Sequence, residues 1–151
     1  MSTPHRGLRL LGHPVHPMVA GFPLAFWAGG TVWDLAGVFW PGPPWAALAF
    51  WTLSLGLVAS VPAFASGFVE LVSLPANHSA ERVAWWHMGF MSVAFCCILA
   101  SVLLRRGPSG VTEKPGLLEI SLALLGILVA FGGGWLGGEL VFRHGVGVDR
   151  K

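Results

Sequence analysis

Four long apolar stretches, set apart by short breaks rich in proline, glycine or charge, run through almost the whole chain. They cover residues 17–40, 45–74, 83–104 and 116–142. About 20 apolar residues in α-helical form cross a ~30 Å hydrocarbon core, so each stretch is long enough to span. The breaks are Pro41-Gly42-Pro43-Pro44, Pro75-Ala76-Asn77-His78 and residues 105–115, all of a composition that ends helices. The pattern predicts an all-α fold: a four-helix transmembrane bundle, one domain over residues 1–151, with both termini on the same side. The second stretch exceeds the bilayer's need and contains Pro62, which predicts tilt or a kink there.

Composition changes the solvent from water to lipid. Of 151 residues 54% are hydrophobic and 11% charged, against about 25% charged in a soluble domain, and the mean hydropathy is +0.70. Tyr is absent while Trp and Phe together number eighteen, eight and ten, and such aromatics gather where hydrocarbon meets headgroup. Cys96 and Cys97 are neighbours in an apolar run, which predicts buried small residues and no disulfide framework. The first apolar stretch is too long for a cleaved signal peptide and lacks a small-residue cleavage site. With an even number of crossings, Arg6, Arg9, Arg82, Arg143, Arg150 and Lys151 share one side, and Arg105, Arg106 and Lys114 the other. The excess of positive charge then puts both termini in the cytoplasm. The formal charge of +2 is spread over loops and tails and forms no patch for nucleic acid. Nucleotide-binding loops, hydrolase triads and zinc-finger spacings are absent, and four spans without an inverted repeat speak against a transporter that acts alone.

The same topology sorts the imidazoles. His13 and His16 precede the first span, His78 lies in the second break, His87 about a turn into the third span and His144 at the end of the fourth; His5 is in the N-terminal tail. All fall at the cytoplasmic end, and neutral imidazoles gathered there are candidate ligands for a transition metal or a haem. In Gly12-His13-Pro14-Val15-His16-Pro17 each His precedes a proline. A polyproline path and a helix both bring i and i+3 to one side, so His13 and His16 are expected to aim together. Gly133 with Gly137, and Gly134 with Gly138, form small-xxx-small pairs that permit close helix approach or leave room for a flat cofactor; Gly137, Val141 and His144 continue one side of that helix. Ser60, Ala63, Ser66, Gly67 and Glu70 make a small, polar face on the second span. Glu70 and Glu139 lie near the histidine layer and are candidates to orient imidazole N–H groups. Arg82 and Arg143 would suit cofactor carboxylates such as haem propionates. Asp34 sits toward the opposite end of the first span, where helix-to-helix hydrogen bonding or proton entry are its roles, and Glu119 is near enough to a boundary to be solvated.

Gly12-His13-Pro14-Val15-His16-Pro17, Phe22-Pro23, Asp34, Arg82, His87 and the closing run from Gly133-Gly134-Trp135 through Phe142-Arg143-His144 to Gly147-Val148 resemble the bacterial membrane-protein family filed as domain of unknown function 2231. The likeness extends over almost the whole chain. It implies a four-helix domain of the bacterial inner membrane, often encoded with or fused to redox modules such as Rieske-type iron–sulfur domains. His13, His16, His87 and His144 match its motif positions; where the family commonly has Asp near the end of the second helix, this chain has Glu70. The expected function is that of a redox protein binding haem b and moving electrons near the cytoplasmic face. It would be an electron carrier or membrane subunit rather than a stand-alone catalyst, with His87 the first axial ligand and His16 or His144 the second. The alternatives are a haem-free copper, zinc or iron site built from His13, His16, His87 and His144 with Glu70 or Glu139, and a bundle that only anchors a partner complex. Expected partners are the lipid bilayer, a redox protein such as an iron–sulfur protein, and a second copy of the chain.

Overall fold

The computed structural model describes residues 7–42, 44–107, 110–111 and 114–148, with backbone only for 106, 107, 110 and 111. His5, Arg6, Arg150 and Lys151, which entered the charge argument, lie outside the described residues. A two-stranded hairpin, β1 (Arg9–Leu10) and β2 (His13–Pro14), leads into a one-turn helix α1 (Val15–Val19). Four long helices follow: α2 (Gly21–Phe39), α3 (Trp45–Val72), α4 (Glu81–Leu104) and α5 (Leu117–Phe142), with a second short pair, β3 (Arg106–Gly107) and β4 (Gly110–Val111), between the last two. The helices correspond to the apolar stretches to within two residues at most ends.

Two differences from the sequence reading concern the fold. First, the opening stretch is divided at Ala20 into α1 and α2, where Pro23 has no N–H to donate to the Val19 carbonyl, and a hairpin turn precedes both. Leu11 and Gly12 both have positive φ, +50° and +84°, the conformation of a two-residue turn matched to strand twist. The Arg9 guanidinium bonds the Gly12 carbonyl at 2.8 Å and holds that turn. Second, α3, α4 and α5 are long and apolar enough to cross a membrane. The 19-residue α2, with its glycines, tryptophans and Asp34, is not in that set. Pro62, where tilt or a kink was expected, lies inside α3, which runs as one helix from Trp45 to Val72.

The short connections make neighbours of consecutive helices. α2 packs most extensively on α3 and α4 on α5, and lesser α3–α4 and α2–α5 contacts close the ring. Small residues set the approach: Gly30 abuts Leu53, and Gly56 abuts the Trp27 indole, with no room for a methyl at either. A main core of Trp27, Phe50, Leu53, Ile98, Val102 and Ile127 fills the bundle, and a second cluster of Leu71, Ala84, Leu140 and Val146 seals the end that carries the histidines. There the chain reverses after α5 at Gly145 (φ +66°), where the Val146 N–H bonds the Leu140 carbonyl at 2.9 Å. This glycine-terminated reversal brings Gly147 against Pro17 and Glu70. Gly7 abuts the same Glu70 side chain, so both described ends of the chain meet at one end of the bundle. Large apolar side chains such as Trp51, Val58, Leu128, Phe131 and Trp135 face outward, as expected where lipid is the solvent. Cys96 is exposed among them and Cys97 partly so; the expectation that both are buried is corrected, because their stretch of α4 turns toward lipid.

Candidate functional site

His16 reaches the bundle because β2 ends at Pro14 and helix starts at Val15, whose N–H bonds the Leu8 carbonyl at 2.9 Å. That switch of backbone separates the two histidines expected to aim together: His13 stays exposed in the hairpin, while His16 packs against α3. The His16 Nδ1 lies 2.9 Å from the Ala63 carbonyl and 3.3 Å from Ser66 Oγ. The Ser66 hydroxyl proton is committed to the Pro62 carbonyl at 2.7 Å. Both groups facing Nδ1 are therefore acceptors, so Nδ1 carries the proton and donates it. His87, on α4, is held the same way: its Nδ1–H donates to the Gly133 carbonyl of α5 at 2.7 Å. In each neutral ring the lone pair is consequently on Nε2, which has no hydrogen-bond partner among the described residues.

The two rings stand 6.4 Å apart, centroid to centroid, with planes at 83°. Each is pressed by a glycine that leaves no place for a side chain: a Cβ on Gly67 would lie 2.8 Å from His16 Cε1, and one on Gly137 3.1 Å from His87 Cε1. Both rings line one largely apolar cavity of about 250 Å³, whose walls also include Trp27, Glu70, Met88 and Met91. Burial pushes the His16 imidazole below its ordinary pKa; the Ala63 carbonyl opposes that shift and His87 adds to it. The site is thus two uncharged imidazoles, fixed in tautomer and direction by backbone carbonyls, which is how ligand histidines are commonly oriented.

The remaining expected residues do not join this pair. His144 Nδ1 is hydrogen-bonded to Ser79 Oγ at 3.2 Å, since α5 ends at Phe142 before the helical stripe reaches it. Glu139 pairs with Arg143 at 3.3 Å one turn along the same helix, so neither faces the imidazoles. Arg82 is exposed and does not line the cavity. Carbonyls of Ala63 and Gly133 fill the orienting role expected of Glu70 and Glu139. Among the described residues, Glu70 alone of the carboxylates lines the cavity. Among the described residues no group of three or more His, Cys, Asp or Glu is disposed to hold a metal ion.

At the far end Asp34 finds a partner that the sequence reading counted only as a loop charge. Arg105, the residue that ends α4, donates from Nη1 and Nη2 to the two Asp34 oxygens at 2.6 Å each, and both side chains are fully buried, at 1% and 0% exposure. Ser101 Oγ accepts from the same guanidinium at 3.0 Å and donates to the Glu119 carbonyl at 2.7 Å. The available signal was a carboxylate inside a span, which demands a cation at its own depth. Met88 and Met91 were also missed, as thioethers on an apolar helix are indistinguishable from core.

No curated protein and no solved structure matches this chain. A family model does, over residues 12–150, from the hairpin turn through His16 and His87 to the reversal after α5. With three helices able to cross a bilayer, the chain belongs to the family described as predicted membrane protein DUF2231.

Proposed function

We propose that this membrane protein is a redox protein in which His16 and His87 would hold a single b-type haem, and that it passes electrons near the cytoplasmic face. The observation that supports it is the disposition of the two imidazoles. The ring centroids stand 6.4 Å apart, near enough for both imidazoles to serve one metal ion at bonds of about 2 Å. Both rings are neutral, Nε2 has no hydrogen-bond partner among the described residues, and the walls around them are largely apolar, a setting that suits haem ligation. Arg82 and Arg143 have no part in this reading, which rests on the two imidazoles alone. A bound haem would supply a one-electron iron couple. The chain supplies ligand orientation and exclusion of water, and an iron–sulfur protein is the class of electron donor that suits it.

The reading includes a topology in which α2 also crosses, making four spans. Both ends of the chain and the loop before α4 then share the cytoplasmic side, which holds Arg9, Arg82 and Arg143.

A second reading has a specific observation behind it. Met88, Met91 and Glu70 line the same cavity as the imidazoles, and thioether with imidazole is a donor set that selects copper(I). An optical spectrum of the purified protein decides. Haem gives a Soret band and, on reduction, α and β bands, lost in His16→Ala and His87→Ala and kept in His13→Ala and His144→Ala. Copper bound in proportion to protein, without those bands, supports the ion site. Neither leaves a bundle that anchors a partner.

A further inference from the structure

At the histidine end of the bundle, outside the imidazole cavity, Glu81, Arg82, Trp85, Trp86 and Gly89 line an open cup of about 720 Å³ together with the loop that carries His78. Arg82, Trp85, Trp86 and Gly89 follow one another at helical spacing on one face of α4. Trp85 and Trp86 are exposed by 55% and 61%, and Gly89 has nothing within 4 Å of where a side chain would begin, so a groove runs down from the charged rim. Arg82 and Glu81 are both exposed, and neither is ion-paired among the described residues. Unlike Arg143, whose charge is met by Glu139, this guanidinium is free for a partner.

We propose that the cup is a binding site for a zwitterionic phospholipid with a phosphoethanolamine headgroup. Charge complementarity selects the occupant. The phosphodiester meets the Arg82 fork, a pairing that is bidentate by geometry. The primary ammonium meets the Glu81 carboxylate, which lines the same cup, and the two indoles. The position agrees, since exposed tryptophans in the first turns of a spanning helix lie at headgroup depth, and the acyl chains would continue along the groove over Gly89. A glycerol headgroup satisfies Arg82 but offers Glu81 no cation. A choline headgroup offers a cation that cannot donate a hydrogen bond.

Native mass spectrometry of the full chain tests this, with the protein released from micelles doped equally with phosphatidylethanolamine, phosphatidylglycerol and phosphatidylcholine of matched acyl chains. Phosphatidylethanolamine is expected to be retained roughly tenfold over either competitor, the scale of one charge-assisted contact. Arg82→Gln should lose that retention, and Glu81→Gln should reduce it to the level of phosphatidylglycerol. Arg143→Gln, at the same end, should leave it unchanged. Equal retention of the three lipids overturns the proposal, as does an undiminished preference in both variants or a co-purifying protein that alone is displaced by them. All three positions are exposed, so equal melting of wild type and variants by circular dichroism shows that the fold is not the variable.

Discussion

His16 shows how one side chain ties stability to pH. Its imidazole is neutral in the fold, with burial the main reason for its lowered pKa, whereas in the unfolded chain it titrates near 6.5. Above that value both states are neutral and the packing is fully felt. As the pH falls below it, the unfolded chain takes up a proton that the folded one resists, so stability declines until the folded pKa is passed. Melting in detergent between pH 7.5 and 5 should show this decline, and His16→Gln should flatten the part that His16 contributes. Two glycines give a second test. An added methyl at Gly67 meets the His16 ring at 2.8 Å, and overpacking of this kind costs about 1–3 kcal/mol. Gly134 lines the same cavity but has open space around it, so Gly134→Ala should stabilise by up to about 1 kcal/mol through helix propensity alone. Unfolding curves of the two variants should therefore shift in opposite directions.

Between elements, the Asp34–Arg105 pair joins α2 to the end of α4, and Ser101 links that guanidinium to the first turn of α5. If α2 crosses the membrane as proposed, the pair spares it an unpaired carboxylate in hydrocarbon. A buried pair adds little net energy over apolar residues of the same volume, but removing one member strands a charge, at a cost of about 3–5 kcal/mol. Asp34→Asn or Arg105→Met alone should lower the unfolding free energy in micelles by that order. Asp34→Leu combined with Arg105→Met should recover most of it. A double variant no better than the singles would mean that the pair does more than neutralise itself.

For the molecule as a whole, the proposed four crossings predict one sidedness. Reporter proteins fused at the N-terminus and at the C-terminus should both read as cytoplasmic, and one inserted at Lys114 should read as external. Opposite readings at the two termini would leave α2 outside the membrane, with only α3, α4 and α5 spanning. Yet Gly7 and Gly147 both rest on Glu70, and such an arrangement would have to separate them.

Apolar run length and the breaks between runs determined the helices, their number and their order, because hydrocarbon accepts little else and short loops leave consecutive helices few places to go. They also placed His16 and His87 near one end. Which imidazoles meet was decided only in three dimensions, since it depends on how each helix is rotated about its axis, and that rotation is set by packing at residues such as Gly56 and Gly67. The same holds for the groups that fix the rings. The carbonyls of Ala63 and Gly133 belong to every residue type alike, so no sequence pattern can announce them. Arg105 carried its charge openly in the sequence, but only the fold carried it back inside to Asp34.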